Sequence, residues 1–337
     1  AAARRRGRSQ MTFLAILLAL VASCSNAASN VVQRITNREE AGVRTLSMRL
    51  ILHLLHRPLW FAGLGAVTLS FLLQASALRF GPLSLVEPLL ACELPLTFVG
   101  AALFLRARLG PREWGAAAVM TAGLVGLIAF LDPRGATHAG LPPLGWALGL
   151  CASLGAVAAL VVSGWRARGD LRAAFYGAAT GIEFGLTAAL MKGAMNALGS
   201  GIGPLFSAWQ TYAMVVAGIG GMFLVQNAMQ SGKILAAQPG ITLLDPFVAI
   251  AWGIFGFRER TADGNLHLAL AATGGALMVA GGLLLSGSPI LARGRESGTG
   301  RATTAPRARG ASKPAEAPES RRRASRAHKR LTNLEEG

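Results

Sequence analysis

The sequence predicts an all-α fold: a polytopic membrane helical bundle of about nine transmembrane helices, arranged as two inverted repeats. Three observations carry that expectation. Of 337 residues, 52% are hydrophobic and only 15% are charged, whereas soluble domains run to about a quarter charged. The charges are also segregated, with none in Phe13–Cys24, Leu144–Gly164 or Phe247–Phe257. The third observation is an internal duplication. Phe71–Arg108 reads FLLQASALRFGPLSLVEPLLACELPLTFVGAALFLRAR, and Phe223–Arg260 reads FLVQNAMQSGKILAAQPGITLLDPFVAIAWGIFGFRER. With one residue of slack, Phe71, Leu72 and Gln74 fall on Phe223, Leu224 and Gln226. Gly81 then falls on Gly232, Glu87-Pro88 on Gln238-Pro239, Pro95 on Pro246, and Phe104 on Phe255. Duplicated pairs of hydrophobic helices are a mark of secondary transporters.

Residues 1–11 precede the first apolar run as an N-terminal extension. A first helix is expected over Thr12–Val32. Ser23, Asn26, Asn30 and Gln33 share one of its faces, and such a stripe must meet protein or water rather than lipid. The run Val21-Ala22-Ser23-Cys24 resembles a lipoprotein cleavage box, but apolar character continues to Val32, which favours a retained helix. Gln33–Arg57 is a basic connection with an amphipathic piece, Leu46–Leu55, suited to a membrane surface. Pro58 ends it, and a second helix over Leu59–Leu78 leads to the Gly81-Pro82 turn. A third, Leu83–Leu105, contains Glu87-Pro88 and Pro95 and is closed by Arg106, Arg108, Pro111 and Arg112. A fourth, Trp114–Leu131, completes a first repeat over residues 12–131.

Residues 132–172 supply a Pro-rich linker and a fifth helix, Leu144–Gly164. The second repeat, residues 173–286, holds helices over Ala173–Leu198, Phe206–Gln230, Ala236–Phe257 and Leu266–Leu285. In the first of these, Gly177, Gly181 and Gly185 recur every fourth position, a ridge that lets another helix approach closely. Residues 287–337 are rich in Arg, Ala, Pro, Ser and Gly, too poor in large apolar side chains to form a core, and are expected to be a disordered basic tail in the cytoplasm.

Much of the net charge of +17 sits in Arg4–Arg8 and after Arg293. It therefore gives no support to a nucleic-acid site, and juxtamembrane clusters of this kind face anionic lipid. Loop charges set the orientation. Arg34, Arg38, Arg44, Arg49 and Arg57, then Arg106, Arg108 and Arg112, then Arg166, Arg168 and Arg172, then Lys233 and the tail fall on one side. Arg79, Arg134, Arg258 and Arg260 fall on the other, and Arg4–Arg8, ahead of the first helix, vote against the majority. The expected arrangement is a cell-membrane protein with its N-terminus outside and C-terminus cytoplasmic. Its partners are the bilayer and a small-molecule or ion substrate, with a homodimer left open. Cys24, Cys92 and Cys151 lie in apolar runs without metal spacing and read as packing residues.

Gly81–Ala116, with its glycine-proline turn, spaced prolines and charged closing turn, resembles the drug/metabolite transporter superfamily, in particular EamA-type permeases and NIPA-type magnesium transporters. Ala236–Arg260 is the second copy of that pattern. Thr187–Met195, with Lys192, resembles the first helix of an EamA half, with Asn30–Gln33 as its counterpart. The resemblance spans Thr12–Leu285 and implies transport of a small solute by alternating access. The family plan is commonly five plus five helices with the N-terminus inside; nine helices match the NIPA-type plan. The acid usual after the third helix of each half is Glu259 in the second copy, while Arg108 occupies the first.

Ionisable residues within the expected spans are few: Glu87, Glu93, Glu183, Lys192 and Asp245. Each needs a partner or a wet cavity. Pro88, Pro95, Pro239 and Pro246 are expected helix kinks, each freeing a carbonyl upstream. Glu87 and Gln238 form the pseudosymmetric pair expected to face one central cavity. The expected substrate pathway comprises Asn26, Asn30, Gln33, Gln74, Glu87, Glu93, Glu183, Lys192, Gln226, Gln238 and Asp245. Glu87 and Glu93 are six positions apart, hence about 120° apart on a straight helix. They converge on one ion only if the helix bends between them. The polar inventory, richer in amides and hydroxyls than in carboxylates, favours a hydrogen-bonded metabolite over magnesium. No HExxH, GxSxG or phosphate loop is present, so neither enzyme nor cofactor is expected. An intramembrane enzyme and a purely structural membrane protein are the alternatives of other classes.

Overall fold

The computed structural model describes residues 2–39, 58–104, 110–134, 141–232 and 234–287. The amphipathic piece Leu46–Leu55, Arg106, Arg108, the side chain of Gln33 and the tail from 288 onward lie outside the described residues. Among those described the fold is all-helical, and its one β-bridge joins Arg134 to Arg260.

The helices are α1 (Ala2–Glu39), α2 (Pro58–Phe80), α3 (Leu83–Leu90), α4 (Glu93–Phe104), α5 (Pro111–Leu131), α6 (Pro143–Arg166), α7 (Gly169–Leu198), α8 (Ile202–Ser207), α9 (Trp209–Ser231), α10 (Ile234–Ala251) and α11 (Asn265–Ser286). A π-helical turn, Trp252–Gly256, extends α10. Eight segments are long and apolar enough to cross a membrane, α3 and α4 counting as one. This is a multi-pass helical membrane protein. The expected count was nine. The segment that falls short is α7, which carries Asp170, Arg172, Glu183 and Lys192. It is nonetheless the helix against which α6, α9 and α10 all pack.

Local sequence accounts for the boundaries. Pro111 and Pro143 occupy the first turns of α5 and α6, where a missing N–H costs nothing. Asp132 closes α5 in the left-handed region at φ 41°, and Pro133 follows it. The expected single helix Leu83–Leu105 is instead two. Pro95 sits in the first turn of α4, and its ring would clash with the carbonyl of Ala91 in a continuous helix. The chain accordingly turns at Ala91–Cys92, where Ala91 N–H donates to the Pro88 carbonyl at 3.1 Å and Cys92 N–H to the Leu89 carbonyl at 3.1 Å. The equivalent prolines of the second copy, Pro239 and Pro246, lie inside an unbroken α10.

Glycines bring the helix axes together. Gly177, Gly181 and Gly185 of α7 face Ala237, Gly240, Leu244 and Val248 of α10, so the glycine ridge is a helix–helix seam. A second seam joins α5 to α11, with Gly123 against Gly274 and the Met278 backbone, and Gly281 against Met120. Within the first half α1 packs on α2, α3 and α4; within the second, α7 packs on α9 and α10; α3 meets α10 across them.

One end of the bundle is fastened by buried polar groups. Lys192, at the C-terminal end of α7, is 1% exposed and donates from Nζ to the carbonyls of Leu78 (2.6 Å) and Gly81 (2.5 Å). Glu259, just past the π-turn, accepts from Leu83 N–H (2.6 Å), Ser84 N–H (2.9 Å) and the Ser84 hydroxyl (2.5 Å). An ammonium on the last carbonyls of α2 and a carboxylate on the first amides of α3 both complement the helix dipoles. Beside them Trp146 makes ring contacts with Trp209, Trp252 and Phe257 at centroid distances of 5.1, 5.3 and 5.8 Å. Trp252 Nε1–H donates to Ser153 Oγ at 3.1 Å.

Candidate functional site

The break in the third segment builds a polar cavity. Because the chain turns at Ala91–Cys92, Glu87 at the end of α3 and Glu93 at the start of α4 line the same space, which a straight helix would deny them. The cavity measures about 200 Å³, several water volumes at ~30 Å³ each. Its walls come from α1 (Asn26), α2 (Ser70, Gln74), the α3–α4 break (Glu87, Leu90, Ala91, Glu93), α7 (Phe184) and α10 (Gln238, Ile241, Thr242, Asp245, Pro246).

The polar groups are arranged unequally. Glu87 is 3% exposed, and its Oε1 accepts from Gln74 Nε2 at 2.9 Å. Glu93 accepts from Asn26 Nδ2 through its Oε2. Gln238 Nε2 donates to Thr242 Oγ1 at 3.1 Å, one turn along the same face of α10. Asp245, the next residue on that face, has its Oδ1 buried without a hydrogen-bond partner. Its own carbonyl and amide sit against Gly185 and Gly181 of α7, so the glycine seam fixes where Asp245 stands. No basic side chain lines the cavity among the described residues.

The expected pathway residues separate into two groups. Asn26, Gln74, Glu87, Glu93, Gln238 and Asp245 meet at the cavity, together with Pro246. The remaining ones lie elsewhere. Asn30 is half-buried on α1, and Gln226 points away from the bundle on the exposed side of α9. Lys192 is at the fastened end. Glu183 is 6% exposed and stands against Gly220 and Gly221 of α9. Pro88 and Pro95 are buried flanks of the break, and Pro239 is half-buried in α10.

Sequence reasoning missed Ser70 and Thr242. Each lies four positions from an amide that it did select, Gln74 and Gln238, and helical spacing alone would have found both. The polar stripe of α1 meets the break directly: Ser23 Oγ donates to the carbonyls of Ala19 (2.9 Å) and Leu89 (3.0 Å), one helical turn before Asn26 reaches Glu93.

No family model matches the chain, and no solved structure matches it. A protein of Corynebacterium glutamicum described as uncharacterized is 27% identical over 254 residues, covering 74% of this chain and 87% of that relative.

Proposed function

We propose that this chain is a carrier, not an enzyme, that moves a small solute across the cell membrane by alternating access, in the manner of the drug/metabolite transporters it resembles in sequence. The observation that carries the reading is the cavity. Five of the bundle's helical segments converge on carboxylates, amides and hydroxyls in a protein whose surroundings are apolar. Polar groups of this kind inside a membrane are costly, and where they are kept they commonly mark a solute or ion path. A broken helix at the centre is a common way to build such a site.

The helix contacts support an inverted-repeat plan. The packing of α1 on α2 and on α3–α4 corresponds to the packing of α7 on α9 and on α10. The equivalent helices α5 and α11 pair with each other, as do α3 and α10, and self-pairing of equivalents is what a two-fold axis requires. On this reading the fastened end, with Lys192, Glu259 and the Trp146 cluster, faces outside. The cavity lies between the two halves, and Gln238, in the first turns of α10, marks its inner side. The N-terminus lies outside and the C-terminus in the cytoplasm.

The test is flux. The purified protein in proteoliposomes is expected to accumulate a solute that protein-free liposomes do not, and Glu87→Gln is expected to reduce that uptake with the bundle still folded. Uptake indifferent to Glu87→Gln, Asp245→Asn and Glu93→Gln alike would overturn the assignment of this cavity as the path.

A further inference from the structure

The fastened end adjoins the cavity, and the piece of chain it fastens is the corner between α2 and α3. Lys192 Nζ holds the carbonyls of Leu78 and Gly81. Glu259 holds the amides of Leu83 and Ser84 and the Ser84 hydroxyl. Both holders belong to the second half, and everything they hold belongs to the first. Leu78 lies four positions after Gln74, and Leu83 four before Glu87. The corner therefore stands one helical turn, about 5.4 Å, beyond the hydrogen-bonded Gln74 and Glu87 of the cavity wall. Leu78 and Leu83 are fully buried, in one cluster with Trp146 and with Leu186 and Leu190 of α7, so packed hydrocarbon closes this end.

This fastening can let go without stranding either charge. Lys192 and Glu259 are of opposite sign, and Glu259 stands near enough to attract the ammonium. In the structure each is nevertheless engaged with backbone at the corner. If the corner withdraws, the two can turn to each other and neutralise their charge within the second half. What they release, the last carbonyls of α2 and the first amides of α3, are helix ends that water satisfies. Corner bound and ion pair formed are thus two discrete arrangements, as a switching element requires. Gly81 lies against Ala15 of α1, where an added Cβ would come within 2.6 Å of the Ala15 Cβ, so the corner moves with the first half.

Resting on the carrier reading above, we infer that the α2–α3 corner is the outer gate of the cavity and that Lys192 and Glu259 are its latch. The latch closes by binding the corner and opens by the two side chains pairing with each other. Opening uncovers Gln74 and Glu87 and admits water and solute from outside.

Spin-label distances in the full chain, in lipid nanodiscs, test this by pulsed electron paramagnetic resonance. An outer pair is carried by Phe80→Cys and Ser200→Cys, exposed positions on either side of the contact between Arg79 and Gly199. An inner pair, in a second sample, is carried by Leu64→Cys and Gln230→Cys, exposed positions toward the opposite ends of α2 and α9. The native cysteines are removed as Cys24→Ala, Cys92→Ala and Cys151→Ala. Ser84→Ala takes one hydrogen bond from the Glu259 carboxylate and leaves both charges in place. It is expected to raise the ratio of a discrete longer outer distance to the short one by about tenfold or more. The inner distance is expected to shorten in the same fraction of molecules, which loosening of a helix end would not produce. An outer distance that Ser84→Ala leaves unchanged, or only broadens, would overturn the gate. A discrete longer outer distance with the inner pair fixed would sink the carrier and leave a lid over the cavity. Uptake into liposomes that persists after the outer cysteines are bridged by a short bis-maleimide would sink the gate and leave the carrier.

Discussion

Gly185→Ala tests the seam that holds Asp245 in place. A Cβ added at Gly185 would lie 2.7 Å from Val248 Cβ, 2.8 Å from Val248 Cγ1 and 2.9 Å from the Asp245 carbonyl oxygen. Ordinary contact begins at 3.4 Å, so the Asp245 backbone must retreat by 3.4 − 2.9 = 0.5 Å and Val248 by 3.4 − 2.7 = 0.7 Å. Neither can yield alone: one is backbone in the middle of α10, and the other is β-branched with a stiff χ1. The whole of α10 must therefore tilt from α7, carrying Asp245 with it. Overpacking of this kind costs about 1–3 kcal/mol. Replacing a helical glycine by alanine returns about 1 kcal/mol of propensity. Gly155→Ala on the exposed face of α6, where a Cβ meets nothing within 4 Å, gains the same propensity without the clash. The propensity term cancels in the difference, so Gly185→Ala is expected to be less stable than Gly155→Ala by about 1–3 kcal/mol. Denaturant titration of both variants in one detergent measures it. Equal stabilities would refute the seam and, with it, the account of how Asp245 is positioned.

Other outcomes follow from the same contacts. Lys192→Met leaves two carbonyls and the neighbouring Glu259 without their cation and is expected to lower stability by about 3–5 kcal/mol, read by the same titration; an unchanged midpoint would remove the fastening role. Gln74→Leu strips Glu87 of its donor and is expected to cost about 1–3 kcal/mol, an effect that Glu87→Gln in the same chain should partly cancel in a double-mutant cycle; additivity would show that the pair is not coupled. Trp252→Phe keeps ring packing near Trp146 but loses the bond to Ser153, for an expected loss of about 1 kcal/mol. A loss no smaller in the Trp252→Phe, Ser153→Ala double variant's coupling term would confirm the bond, and zero coupling would exclude it.

The gross architecture was legible because membrane-spanning helices announce themselves by composition, and each of the expected segments coincides with at least one helix. The expected nine and the eight apolar spans differ only at α7, a helix that the sequence reading did place over Ala173–Leu198: shielded by α6, α9 and α10, it does not need lipid-grade hydropathy. Matched prolines did not predict matched geometry. Pro95 opened a new helix and left a turn behind it, while Pro246 was absorbed into α10, where the irregularity appears further on as the π-turn Trp252–Gly256. Both are the same residue at the same repeat position. The repeat register misleads in the same way for amides: Gln74 reaches Glu87, while its counterpart Gln226 faces outward.

Rarity of charge in a membrane span selects candidates but does not sort them; the number of satisfied hydrogen bonds does. Lys192 and Glu259 lie at one extreme. Both are almost fully buried, both bond to backbone that a helix end would otherwise leave unpaired, and neither has reach to spare for a solute. Glu87 and Glu93 are intermediate, each with one oxygen held by an amide from a neighbouring helix. Asp245 is at the other extreme: the residue lines the cavity, and its Oδ1 is buried with no hydrogen-bond partner. A fold can recover the desolvation cost of the first class by itself, since its partners are always present. The last class keeps its desolvation cost unrelieved by the fold, and unrelieved polar groups inside a membrane mark function more often than packing.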